Sequence, residues 1–204
     1  MDANNFNNLF RKCIEKYHEI DQIDQPFINN YTGLDGLLYE KCWIDTMQWH
    51  LEDIIRKPDI DPKEGMEIKR RIDKLNQKRT DLVERIDEYI YNYFKNIPTK
   101  EDARLNTETP GWAIDRLSIL NLKIYHWQEE VKRKDATSKH KENAKNKLNI
   151  LLKQLEDLTT AINLLFKELS KGKVIARTYK QMKMYNDPEL NPVLREYKKN
   201  RNEK

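Results

Sequence analysis

The stretch Pro62–Phe94, PKEGMEIKRRIDKLNQKRTDLVERIDEYIYNYF, decides the fold. Within it Ile68, Ile72, Leu75, Arg79, Leu82, Ile86, Tyr89 and Tyr93 recur at alternating steps of four and three. That spacing predicts one long helix whose stripe crosses its neighbours at about 20°, as in a helical bundle or coiled coil. Pro62 suits the first helical turn, where its missing N–H leaves no bond unmade.

Working outward, the same period predicts four more helices and no strand. The first spans about residues 4–24, with Phe6, Leu9, Phe10, Cys13, Tyr17, Ile20 and Ile23 on one stripe. The second spans about 35–57 and stops before Pro58. The fourth starts at Pro110 and continues to about Arg133 through Ile114, Leu117, Leu120 and Ile124. The fifth spans about 138–171 and ends at Gly172, a residue suited to the position after a helix. The expected fold is all-α: an antiparallel bundle of four long helices, with an N-terminal helix and a C-terminal arm that lies on the bundle. Residues 1–194 form one domain in this reading, and residues 195–204 a basic flexible tail.

Composition limits the chemistry. A chain of 204 residues is long enough to bury a core without disulfides or a structural metal. MDANNFNNLF lacks the apolar run of a signal peptide, and no segment approaches the ~20 apolar residues of a membrane span, so a cytoplasmic protein is expected. Cys13 and Cys42 have no partners for a metal site and are expected as reduced, half-buried thiols. From Lys171 onward ten Lys and Arg face four acidic residues, which gives that end +6 and leaves −2 for the rest of a chain whose overall charge is +4. No aromatic platform accompanies that charge, and specific nucleic-acid binding is not expected.

Charge interrupts two stripes. In KCWIDTMQWHLEDIIR, Asp45, Trp49, Glu52 and Arg56 share a helix face, with Thr46, His50 and Asp53 on the adjoining ridge. In the fourth helix Trp112, Asp115, Ile119, Leu122 and His126 line up, with Arg116 beside them. Packing these helices together would converge carboxylates and imidazoles, which is how bundles build metal and acid–base sites. Asp45, Glu52 and Asp53 then act as metal ligands or base, His50 and His126 move protons, and Arg116 neutralises negative charge. Glu52, Asp53 and Asp115 form the expected magnesium or manganese cradle. Single ion pairs and satisfied core histidines remain the bland account of the same residues. Of motif-level metal signatures only Glu15-Lys-Tyr-His18 matches a Glu-x-x-His pair, and Glu64-x-x-Glu67 and Glu84-x-x-Asp87 lie on one charged helix. No phosphate-binding glycine loop, GxSxG, CxxC or HExxH occurs.

NTETPGWAIDRLSIL (Asn106–Leu120) places a glycine in the first turn of a helix, where it costs about 1 kcal/mol against alanine. Thr109 is the expected N-cap, its hydroxyl accepting from the N–H of Gly111 or Trp112. Gly111 implies a close approach to the backbone, either by a neighbouring side chain or by an anion at the positive helix end. For the anion, Arg104, Thr107 and Thr109 are further donors.

Three blocks resemble one bacterial family, catalogued as domain of unknown function 4254: DTMQWHLEDIIR (Asp45–Arg56), NTETPGWAIDRLSILNLKIYHW (Asn106–Trp127) and YKQMKMYNDPELNPVL (Tyr179–Leu194). The likeness runs from about Leu34 to Leu194. It implies Bacteroidetes-like bacteria and genes near glycosyltransferases of envelope polysaccharide synthesis, and it carries no catalytic residue. The third block adds Tyr179, Lys180, Lys183, Tyr185, Asn186 and Asp187 as a segment folding back to complete the same face. The function expected is binding or processing of a phosphorylated or sugar-nucleotide ligand, with Trp49, Trp112 and these tail residues in the ligand site. The competing class is a non-enzymatic adaptor docking through its basic tail on a partner or membrane surface. A monomer or homodimer fits both.

Overall fold

The protein, in a computed structural model that describes residues 1–185 and 187–202, is all-α. Its helices are α1 (Ala3–His18), α2 (Gly33–Ile54), α3 (Pro62–Phe94), α4 (Pro110–Lys132), α5 (Ser138–Leu169) and α6 (Pro192–Asn202). Among the described residues the one extended pairing is an isolated bridge between Arg104 and Val174. No described helix is long and apolar enough to cross a membrane.

Side-chain pairings set the directions. Glu40 meets Lys78, while Leu51 packs with Ile68 and Ile72, so α2 and α3 are antiparallel. Arg79 meets Asp115 and Asp87 meets Gly111, so α3 and α4 are antiparallel too. Glu130 meets His140 and Trp127 meets Lys147, which reverses α5 against α4. By this alternation α2 and α4 run parallel to each other. Helix α4 touches α1, α2, α3 and α5. That hub position explains why it buries polar residues (Asp115, Ser118, Asn121) as well as Ile114, Leu117 and Leu122.

Helix α3 begins as expected, with Pro62 in its first turn and Asp61 accepting from the N–H of Lys63 (2.9 Å) and Glu64 (3.1 Å). Its buried face departs from the strict heptad. Ile68, Ile72, Leu82 and Ile86 are buried, but Tyr89 and Tyr93 are exposed, and Ile90 and Phe94 take their places. A straight helix lags a seven-residue repeat by about 20° per heptad. Over three to four heptads that accumulates to most of one residue's step, so the inward face moves over by one position.

Other boundaries also shift. Helix α1 stops at His18 and not near residue 24, because Asp21 adopts a left-handed φ of 55°. Ile20 is consequently exposed. Gly172 follows α5 with φ 65°, as its position predicted. Cys13 and Cys42 are free and fully buried, not half-buried, each facing a backbone carbonyl of the other's helix. The segment expected as a basic tail begins inside α6, whose start is set by Asn191 accepting from the N–H of Val193 (3.0 Å).

The glycine at 111 has a direct explanation. Asp87 of α3 aims its carboxylate at the first turn of α4 and accepts from Gly111 N–H at 2.6 Å and from the Thr109 hydroxyl. The expected cap by Thr109 is therefore replaced: its hydroxyl donates to Asp87, and no Thr109 side-chain cap bond forms. A Cβ on residue 111 would lie 2.7 Å from the Asp87 carboxyl carbon and 2.8 Å from the Val83 carbonyl oxygen. The close-approaching anion is one of the protein's own carboxylates. Gly111→Ala should destabilise the fold by about 1–3 kcal/mol, despite alanine's higher helix propensity, as read from urea unfolding.

Burial pushes the Asp87 carboxyl up to about 6, against the hydrogen bonds from Thr109 and Gly111. A raised carboxyl binds its proton more tightly in the folded chain than in the unfolded one. Its contribution is present below the unfolded value of about 3.9 and is lost as pH rises towards about 6. Asn at this position still accepts from Gly111 and can donate to Thr109. Urea midpoints across pH 4–6 should show this decline in the native chain and its loss in Asp87→Asn.

Candidate functional site

Parallel packing of α2 and α4 sets two polar clusters at different heights along them. At the lower height stands Lys41, fully buried on α2. Its ammonium lies 2.5 Å from Asp45 Oδ2, 2.8 Å from Asp115 Oδ1 and 3.1 Å from the Asp115 carbonyl oxygen. Arg79 reaches in from α3, donating through Nε (2.8 Å) and Nη2 (2.5 Å) to both oxygens of Asp115. Ser118 Oγ donates to Asp45 Oδ2 at 2.6 Å. Two cations and two anions thus close on one another, with Lys41, Asp45 and Asp115 buried and Arg79 reaching them from a partly exposed position, as buried charges require.

The two carboxyls are not equivalent. Burial raises Asp45 above the ordinary carboxyl range, with Lys41 pulling the other way. At Asp115 burial pushes up as well, but Lys41 and the paired Arg79 outweigh it and hold the group below that range. Asp45 Oδ1 is buried without a hydrogen-bond partner among the described residues, and Arg79 Nε stands 3.5 Å from it in a looser ion pair.

Above Asp45 opens a cleft of about 320 Å³ between α2, α3 and α4. Asp45 and Arg79 form its floor, Trp49, Ile119 and Leu122 its apolar wall, and Glu52, Asp53 and Arg56 its rim. Glu52 and Arg56 are paired at 2.5 Å on the rim. On the other side of Arg79 lies a larger depression, which includes Asp115, Arg116 and Lys123. Arg79 is shared by both.

The structure therefore joins part of the expected constellation. Asp45, Trp49, Glu52 and Asp53 share the cleft, with Asp115 just beneath it. Arg116 does not belong there. Its side chain is exposed and held by Glu108 at 2.8 Å, and the cation inside is Arg79. The expected cradle of Glu52, Asp53 and Asp115 does not assemble, because Asp115 is occupied by Lys41 and Arg79 while Glu52 faces Arg56. The start of α4 holds Asp87, so of the two expected causes of Gly111 a neighbouring side chain is found and it occupies the place of an external anion. Arg104 turns to Glu168 and Asn106, Thr107 is exposed, and Trp112 is half-buried. Glu15 is exposed, and the Glu-x-x-His pairing does not form a site.

The returning C-terminal segment lies elsewhere too. Lys180 pairs with Glu88 (2.6 Å) and Glu84 (3.2 Å), and Lys183 donates to Thr80 (2.6 Å), all along α3. Tyr179 lines a groove with Asp87, Thr109 and Pro110. None of these residues borders the α2–α4 cleft, and Tyr185 is exposed. Asn186 lies outside the described residues.

At the greater height, about one and a half turns beyond Asp45, His50 of α2 and His126 of α4 meet His18 from the last turn of α1. Their ring nitrogens lie within 4.8 Å of one another. His18 Nδ1 faces the Ile14 carbonyl at 2.7 Å, and His126 Nδ1 faces Glu129 at 2.9 Å. His50 Nε2 lies 3.3 Å from His18 Nε2, and His126 Nε2 is buried with no partner. Burial lowers the His50 and His126 pKa values, although Asp21 and Glu129 respectively oppose it. Tyr17 stacks on His50, and Trp49 on His126. Trp49 is thus the partition between the cleft and the histidines.

The residues that sequence reasoning missed had faint signals. Arg79 interrupts an apolar stripe, Lys41 precedes Asp45 by one turn, and His18 ends a helix stripe one residue after Tyr17. Asp87 appeared only as the end of Glu84-x-x-Asp87, and Asp21 gave no signal.

Removing one member of the buried quartet isolates the rest. Lys41→Met should cost about 3–5 kcal/mol, because two carboxylates are left with one arginine. Glu52→Gln, on the exposed rim pair, should stay within about 1 kcal/mol. Urea midpoints of the two variants measure the contrast.

No curated protein matches the chain, and no solved structure does. A family profile does, over residues 35–178, which take in two of the three blocks singled out in the sequence but not Tyr179–Leu194. The matched region contains α2 from its third residue on and all of α3, α4 and α5, and with them the quartet, the whole cleft and two of the three histidines. The chain belongs to the family described as "Protein of unknown function (DUF4254)".

Proposed function

We propose that the cleft between α2, α3 and α4 binds a phosphorylated sugar or a sugar nucleotide, in the envelope glycan metabolism of a bacterium. The observation that carries this reading is Asp45 Oδ1, a buried acceptor beside a cleft large enough for a small ligand, whose one facing donor among the described residues, Arg79 Nε at 3.5 Å, is too distant for a hydrogen bond. A hydroxyl of the ligand would satisfy it, as buried polar groups require. The indole of Trp49 offers a flat wall for a sugar or base, a common feature of sites that are mostly apolar with a few placed polar groups. Arg79 and Arg56 supply donors for phosphate.

Asp45, Glu52 and Asp53 outnumber the two arginines, so a phosphate is better accommodated together with a divalent cation. Magnesium or manganese is ordinarily held by one or two carboxylates plus the phosphate itself. Glu52 and Asp53 are placed for that role without Asp115. If a reaction follows binding, Asp45 is the proton acceptor nearest the floor, and Arg79 replaces Arg116 as the cation that neutralises negative charge.

The adaptor reading draws on α6, which exposes Val193 and Tyr197 among Arg195, Lys198 and Lys199. Thermal-shift titration with nucleoside-diphosphate sugars and sugar phosphates, with and without Mg²⁺ or Mn²⁺, separates the two. A saturable shift that Arg56→Ala weakens at least tenfold supports the cleft. No shift with any of these compounds, together with co-sedimentation on anionic vesicles, would replace it with the adaptor.

A further inference from the structure

We propose that His18, His50 and His126 form a binding site for a divalent first-row transition ion, zinc(II) being the reference, with Asp21 as the fourth ligand. The three imidazoles come from three helices, so only the tertiary fold assembles them. Their tautomers are set from outside. The Ile14 carbonyl can only accept, so His18 carries its proton on Nδ1 and turns the Nε2 lone pair inward. Glu129 does the same for His126. A carbonyl or carboxylate behind each ligating imidazole is the usual outer shell of a metal-bound histidine.

One pair of nitrogens already has the spacing of this assignment, and all three lie within 4.8 Å of one another. Zinc binds imidazole nitrogen at about 2.0–2.1 Å in a tetrahedron, which places two such nitrogens roughly 3.3 Å apart. His18 Nε2 and His50 Nε2 are 3.3 Å apart. In the metal-free chain His50 donates its Nε2 proton to His18, and on metal binding that proton moves to Nδ1, with no net loss. The independent observation is His126 Nε2, which is buried and unpartnered beside the other two. A buried nitrogen whose lone pair meets no donor carries a desolvation cost, and a cation removes it.

Asp21 supplies the oxygen. Its left-handed backbone just past α1 brings Oδ1 to 3.4 Å from His50 Nε2 and 4.0 Å from His18 Nε2. Its side chain is 55% exposed, which gives an ion a route from solvent. Together Asp21 and Glu129 balance the two charges of the ion. Nitrogen-rich, one-carboxylate coordination suits zinc, iron, nickel or copper, and not magnesium or calcium. The site shares no ligating residue with the sugar-phosphate cleft across Trp49, so either can fail alone.

The test uses the full chain, stripped with chelator and titrated with ZnCl₂ by calorimetry, and with CoCl₂ by visible absorption. One zinc per chain and the strong visible bands of four-coordinate cobalt are expected. His50→Ala and His126→Ala should weaken zinc binding at least 100-fold. Glu129→Gln, which keeps every ligand, should weaken it about 10–100-fold. No saturable binding by the native chain, or binding and cobalt spectra unchanged in the histidine variants, overturns the proposal. If those variants do not fold, the native chain and Glu129→Gln decide. A six-coordinate cobalt spectrum, or undiminished affinity in Glu129→Gln, then overturns it.

Discussion

Lys41 is the constraint on which the architecture rests. An ammonium taken wholly out of water needs anions within contact distance, and it finds one on its own helix and one on α4. Neither apolar packing nor helix propensity demands that α2 and α4 face each other at this one height. The charges do, because sliding either helix by a turn would leave a buried ion unmatched. Arg79 then recruits α3 into the same closure. The quartet thereby fixes the axial register of three of the four long helices.

That register carries upward. Lys41 meets Asp115 and Asp45 meets Ser118, at sequence separations of 74 and 73, as parallel helices in step with each other should. About one and a half turns beyond Asp45, the same alignment brings His50 to His126. Helix α1 is the additional element there, and its early stop at His18 leaves Asp21 free to turn back over the imidazoles. One pairing thus supports a cleft with an acidic floor and a chamber lined by nitrogen, with Trp49 between them. The polar residues of α2 and α4 that looked anomalous in an amphipathic helix are those that lie along this shared seam.

The helices and their order were legible because apolar periodicity is local information. Pro62, Pro110 and Gly172 marked boundaries for reasons internal to their own turns. The convergence of Asp45 with Asp115, and of His50 with His126, was legible in outline, since each pair interrupts a stripe and parallel or antiparallel packing would join some of them. Its chemistry was not. Which cation enters depends on whether Arg79 or Arg116 points inward. Arg79 stands on the inward stripe of α3, but that it meets Asp115 and Asp45 follows only from how α3 packs against α2 and α4. His18 was out of reach because its role depends on where α1 ends. The returning segment around Lys180 was misplaced for a related reason: Glu84 and Glu88 attract it along α3, and nothing local says which acidic face wins.

Helix α4 lacks a cap of its own. The group that satisfies its first N–H stands twenty-four residues earlier, on a helix running the other way. The central rod of the protein therefore cannot be completed by its own segment in isolation. As the chain is synthesised, α3 must already be wound and docked before α4 acquires a stable beginning. A peptide spanning 110–132 would fray at the end that the intact molecule holds most tightly.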